Sequence, residues 1–457
     1  MLFSSPVFFA FFAAFLLVYR FVPERLRLAA IIVGSAIFYA WWRVEYLAVP
    51  VVLTMIGYFG ALHVVRAPPS TDRRWRLSLA LVVLFLPLLA FKYTDFVVQS
   101  AFGSDVGRLD LVLTLGISFI TFTIAAYVID VYRGHYPAEP SFPRVLGYVL
   151  FFPHLIAGPI LRPRELLPQL ARLKALASPR MTLAAAIFTA GLAKKLIVAD
   201  QIAPSVDAVY AGQGALGAWN YLLAVYGFSV QIYCDFSGYT DMAIGLAIAF
   251  GINLPNNFSR PYSSASIIEF WRRWHITLSY WLRDYLYIAL GGNRNGKVTQ
   301  IRNLIVTMVL GGLWHGANWT FVLWGFVHGL AISLSHLLRG SAGRAWPRWF
   351  TVLLTFHFVT FAWILFRAPD LATAWRVVQG LANGPWSGFD AFFQGHLFVL
   401  LLLLLFALSH RFDSHSRLRF AARRYSRPLV WLAIATVWVI AIAVSHGSSA
   451  NFIYFDF

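Results

Sequence analysis

The chain has 457 residues, of which 59% are hydrophobic and only 12% charged, and its mean hydropathy is +0.67. A water-soluble domain carries about 25% charged residues, so the composition excludes a chain folded mainly in water and points to one membrane domain over residues 1–457. A net charge of +18 does not indicate nucleic acid: the basic residues lie between apolar runs, as in loops facing anionic headgroups, and no nucleic-acid module is visible.

The first apolar run, from Pro6, precedes the first basic residue, Arg20. It lacks the positive leading region of a signal peptide and reads as a retained first span with the N-terminus outside. Crossing a bilayer takes roughly 20 apolar residues in a helix. Candidate spans lie near 6–19, 28–42, 45–65, 77–97, 111–131, 145–160, 181–200, 220–252, 302–338 as a pair, 349–368, 397–410 and 429–446. Lys and Arg collect in 66–76, 161–180 (Lys174 among them), 257–302 and 411–427, whereas 201–219 has none. Placing the basic loops in the cytoplasm gives a consistent alternation with both termini outside. The run 145–160 has basic loops on both sides and contains Pro153, Gly158 and Pro159, so it is expected to enter the bilayer and return.

The single cysteine, Cys234, excludes an intrachain disulfide, and an inert buried thiol suits it better than a nucleophile. Beside it, Asp235, Ser237, Tyr239, Thr240 and Asp241 interrupt an apolar stretch. Intramembrane carboxylates mark function, but pairing with Arg or with backbone freed at Gly238 is an equal alternative. In 266–296, a continuous helix would put Trp271, His275, Ser279 and Arg283 on one face, with Phe270, Trp274 and Leu278 alongside. Such a stretch suits a helix at the cytoplasmic interface. It is either an aromatic and basic anchor or, with Arg272, Arg273 and the nearby Gly291, Gly292 and Asn293, a holder of a phosphorylated donor.

The run 301–319 carries His315, with Asn318 a further candidate. Starting from a cytoplasmic Arg302, about 21 Å of helix puts His315 past the middle of the bilayer, with Gly311, Gly312 and Gly316 leaving room beside it. A histidine there is either a base suited to neutral pH or a ring satisfied by a backbone carbonyl. His446 and the remaining histidines show no metal-like spacing, and no nucleophile-elbow, phosphate-loop or dinucleotide motif is present.

Taken together, MLFSSPVFF, LFFPHLIAGPI, CDFSGYTDMAIGLA, EFWRRWHITLSYWLRDYLYIALGGNRNG, GLWHGANWTFVLWG and the closing NFIYFDF resemble the membrane-bound O-acyltransferase superfamily, in particular its bacterial alginate O-acetyltransferase branch. The resemblance runs through essentially the whole chain, with a motif-bearing core over 145–340. It implies an all-α ring of about 11 transmembrane helices plus re-entrant and interfacial helices, in a bacterial inner membrane. It further implies acetyl-CoA as the cytoplasmic donor and no permanently bound cofactor. His315 would be the general base and His275 would position the donor or the oxyanion. Arg272, Arg273 and Arg283, with Trp271 and Trp274, would meet the CoA phosphates, and Asp235, Ser279 and Asn318 remain further candidates. The acceptor implied is an exported polysaccharide reached through an extracytoplasmic acetyltransferase partner. D-alanyl transfer from a carrier-protein thioester is the alternative. A transporter is disfavoured because WRRWH and WHGANW each occur once, without the repeats that transporters show.

Overall fold

Within a bilayer every backbone N–H and C=O must find its partner inside the protein, so long apolar runs close into helices. The computed structural model describes all residues except 69–70, 104–113, 174, 177, 215, 339–345, 446–449, 451 and 454–457. Lys174, His446, the start of the expected span 111–131 and most of NFIYFDF therefore lie outside the described residues. Among the described residues there are helices and turns but no strand. Seven helices there are long and apolar enough to cross a membrane: Val44–Val65, Thr71–Phe102, Arg180–Tyr210, Trp319–Leu338, Arg348–Arg367, Phe389–Phe412 and Arg427–Ser445. Pro6–Phe21 and Ile117–Tyr132 are shorter apolar helices. The protein is thus an all-helical, multi-pass membrane protein. Ala218–Ala249 and Gly296–His315, both expected as spans, form helices but are not among the seven.

The described residues cluster into two compact units, Met1–Phe188 with Tyr239–Pro255, and Thr189–Gly238 with Asn256–Phe457. In the first unit, the helix Pro6–Phe21 starts where Ser5 Oγ accepts from the Phe8 N–H at 3.3 Å, with Pro6 in its first turn; both features favour a helix start. Its Phe8 meets Phe38 at a ring separation of 6.0 Å, Phe38 meets Phe152 at 5.4 Å, and Phe152 meets Phe250 at 6.1 Å. The helix Ile117–Tyr132 is apolar nearly all round and buried along almost its whole length, as such a helix must be in a packed interior.

The run 145–160 is broken. A helix Phe142–Leu150 stops at Phe151, a short helix Phe152–Leu155 follows, and the backbone is irregular until Pro163–Leu170. The freed polar groups are met inside the protein: Tyr148 Oη donates to the Leu161 carbonyl at 2.7 Å, and a ring nitrogen of His154 lies 2.8 Å from the Tyr148 carbonyl. Gly158 folds back onto His154 so closely that a side chain would meet the His154 backbone.

In the second unit the helices Gly296–His315 and Trp319–Leu338 form a tight hairpin. Small residues let the two backbones approach, the usual basis of helix packing in lipid. A Cβ at Gly312 would run into the Phe321 carbonyl, one at Gly325 into the Met308 carbonyl, and one at Gly329 into Ile305 Cα.

The stretch 266–296 corrects the expectation of one continuous helix. It folds as Ile267–Trp271, then a turn, then Ile276–Trp281, which runs into a wide helical turn Leu282–Tyr287. At the turn His275 adopts φ 41°, ψ 55°, a left-handed conformation that side-chain-bearing residues rarely take. The four-residue spacing of Trp271, His275, Ser279 and Arg283 therefore does not put them on one face.

Candidate acyl-transfer site

His315 is the last residue of its helix, followed by Gly316 in extended conformation. It is 4% exposed, and His275 is wholly buried. The hairpin delivers the first histidine and the left-handed turn delivers the second, so that their ring centres lie 6.4 Å apart. That separation leaves reach for one oxygen-sized group hydrogen-bonded to both rings at about 2.8 Å each. His275 is a core residue of the second unit, at the turn between two short helices.

Aromatic rings enclose the pair. Trp324 stands perpendicular to the His315 ring at 5.4 Å, Phe366 lies 5.1 Å away and Trp314 5.0 Å away. Phe236 stands edge-on to His275 at 4.8 Å. Such walls exclude water, and in a dry site a positioned hydrogen bond or charge acts far more strongly than in water.

The hydrogen bonds of His275 fix its tautomer. Asn257 Oδ1 accepts from the Thr277 N–H at 3.2 Å and from the Thr277 hydroxyl at 2.9 Å. The backbone donor requires the amide oxygen, not its NH2, at that point. His275 Nδ1, 3.2 Å from the same oxygen, must then carry the proton, which leaves the lone pair on Nε2. His275 lies on a turn outside the membrane-spanning helices, and burial lowers its pKa from 6.5 to about 3. It is neutral at physiological pH. Asn257 was not singled out in the sequence; its one legible signal is an amide set just before Phe258 in a loop.

The remaining candidates divide. Trp271 and Trp274 join the aromatic wall: Trp271 Nε1 donates to His328 Nδ1 at 3.3 Å, and Trp274 packs on Trp363 at 5.0 Å. The arginines do not converge on the histidines as a bare cationic cluster. Arg273 pairs with Glu269 at 2.7 Å, as does Arg348 at 3.2 Å. Arg283 pairs with Asp284 at 2.6 Å and lies over the Tyr280 ring, while Arg272 is exposed. Ser279 Oγ donates to the Trp274 carbonyl at 3.3 Å. Asn318 is a structural tie, accepting from the Thr320 N–H at 3.0 Å and donating to the Pro369 carbonyl at 2.6 Å. Asp235 pairs with Lys195 at 2.8 Å, a lysine 40 positions earlier, where the sequence suggested an arginine. Cys234 is buried.

The chain that brings these two histidine motifs together is an all-helical, multi-pass one, and residues 135–373 match the membrane-bound O-acyltransferase family. The chain belongs to that family and is an O-acyltransferase. It is 42% identical over 404 residues to a probable alginate O-acetylase of Azotobacter vinelandii, a match covering 85% of this chain and 79% of that protein. It is 38% identical over 386 residues to a peptidoglycan O-acetyltransferase of Helicobacter pylori, covering 77% and 73%. A teichoic acid D-alanyltransferase of Bacillus subtilis is 30% identical over 282 residues, covering 56% and 69%.

Proposed function

We propose that this O-acyltransferase takes acetyl from cytoplasmic acetyl-CoA and passes it across the bacterial inner membrane for O-acetylation of an exported polysaccharide, with His315 as general base. The observation that carries the reading is the buried His275–His315 pair inside its aromatic enclosure. Its first support is chemical. An incoming hydroxyl oxygen attacks the thioester carbonyl carbon as His315 takes its proton; the C–S bond breaks, and the imidazolium returns the proton to the departing thiolate. His315 suits this role because it ends a helix, whose carbonyl end favours the positive charge that forms on the ring. His275, held neutral by burial, suits orientation through Nε2 better than proton acceptance.

Arg272 is the exposed cation best able to meet donor phosphates, whereas Arg273 and Arg283 already answer carboxylates. The whole chain acts as one catalytic membrane domain, a ring of about 11 spans with both termini outside. A separate extracytoplasmic acetyltransferase hands the group to the polymer. D-alanyl transfer has weaker support, since the D-alanyltransferase relative is the more distant.

The test is acetyl transfer in membranes across a range of acetyl-CoA concentrations, with protein level checked. General-base assistance contributes about 10²–10⁴-fold, so His315→Ala and His315→Gln should both fall by that order at every donor concentration. His275→Ala, which loses an orienting group but not the base, should keep more residual transfer, with the loss carried mainly by kcat and not by KM for acetyl-CoA. Substantial transfer by a well-expressed His315→Ala variant would overturn the assignment.

A further inference from the structure

Two features stand outside this reading: the buried carboxylate Asp235 and the described residues Ala450, Phe452 and Ile453 near the end of the chain. They meet in the second unit. Lys195 sits on a wide helical turn, Lys194–Ala199, and its Nζ lies 2.8 Å from Asp200 Oδ1 and 2.8 Å from Asp235 Oδ1. The Lys195 and Asp235 side chains are only 5% and 4% exposed. One ammonium between two carboxylates leaves a net negative charge in a dry place, which persists only if further donors reach it. The end of the chain supplies them. The Ile453 N–H donates to Asp235 Oδ2 at 2.7 Å, and the Ala450 N–H donates to Asp200 Oδ2 at 3.2 Å.

These bonds set Phe452, which is 1% exposed, against Phe236 at a ring separation of 5.9 Å. Phe236 follows Asp235 directly, and it also packs against the site. It stands edge-on to His275 at 4.8 Å and to Phe258 at 5.0 Å. Phe258 adjoins Asn257, whose amide oxygen fixes His275 Nδ1. We infer that Asp200 and Asp235, bridged by Lys195, anchor Ala450 and Ile453 as a strap, and that Phe452 thereby wedges Phe236 against His275. Asp235, Phe236 and Phe452 are positioning residues for the acyl-transfer site, and the carboxylates take no part in proton transfer. The inference rests on the reading that His275 belongs to that site.

Because His275 holds a left-handed backbone conformation, the turn needs support on its ring side, and the strap provides it. A misplacement of about 1 Å transmitted from a remote residue costs on the order of a hundredfold in rate. Donor binding, which needs no such precision at His275, should be spared.

The experiment uses the full chain in membranes. Phe452→Ala should lower kcat roughly ten- to hundredfold with KM for acetyl-CoA nearly unchanged, and Phe452→Leu should recover most of the loss. A normal kcat in Phe452→Ala, or a loss carried by KM alone, would overturn the strap. A second readout is independent of turnover. In a Cys234→Ser background, a His275→Cys variant should be alkylated slowly by a small maleimide. Adding Phe452→Ala, or separately Asp235→Ser, should speed the labelling about tenfold or more, the scale of coupling between residues in contact. Equal rates with and without those changes would overturn the inference. Failure of the general-base reading would appear elsewhere, as transfer by His315→Ala, and would leave the alkylation comparison valid.

Discussion

His275 has a thermodynamic signature that can be measured without any substrate. Its buried ring stays unprotonated down to about pH 3, whereas in the unfolded chain it takes a proton near 6.5. The sign follows directly: the stability it contributes is fully present above about pH 6.5 and is lost as pH falls from there toward 3. One such group steepens the loss by about 1.4 kcal/mol per pH unit. Thermal unfolding of the detergent-solubilised protein between pH 7 and 5 should therefore show a shallower pH dependence in His275→Gln than in the parent. Identical slopes would mean that the ring is not buried neutral. At this scale the sequence was half legible. The residue types His275 and His315 stand out because histidine is rare and costly in apolar runs. Asn257, Phe236 and Lys195 do not, since each matters only through a partner brought in by folding. Glu269 and Arg273 are a readable i,i+4 pair, yet Arg348, which shares the carboxylate, is not.

Helix packing brings His315 to its place, and the glycines of the hairpin permit that packing. Gly312 lies three residues before His315, and a methyl group there would meet the Phe321 backbone, which cannot rotate away. Gly312→Ala should destabilise the protein by about 1–3 kcal/mol, the usual cost of overpacking, and should lower transfer as well. Gly395, on the helix Phe389–Ser409, has nothing within 4 Å of an added Cβ, so Gly395→Ala should be neutral or gain up to about 1 kcal/mol of helix propensity. Survival of the folded peak in size-exclusion chromatography after heating compares the two. Equal melting would remove the tight hairpin as the device that places His315. The two helices of the hairpin were legible as a pair of apolar runs, with Gly311, Gly312 and Gly316 around His315. The break inside 266–296 was not, because nothing in a helical periodicity announces a non-glycine residue with φ 41°. The break in 145–160 was legible, since Pro153, Gly158 and Pro159 cannot continue a helix.

For the whole molecule the central question is direction. Seven helices qualify as spans on length and composition among the described residues, and the apolar helices Pro6–Phe21 and Ile117–Tyr132 are shorter than that criterion. The basic-loop argument places 201–219 outside and 411–427 inside. Ala211 and Ser416 are both exposed, and the native Cys234 is buried. In a Cys234→Ser background, Ala211→Cys should react with an impermeant thiol reagent on intact cells and Ser416→Cys should not; the reverse pattern would invert the proposed topology. The most direct measurement joins direction to chemistry. Sealed inside-out membrane vesicles are given acetyl-labelled CoA on their outer, cytoplasmic face, together with the partner acetyltransferase and polymer enclosed in the lumen. Labelled acetyl should appear on luminal polymer with the parent protein and only at background levels with His315→Gln at equal protein. Label reaching the polymer equally in both would contradict the role of His315 as the base.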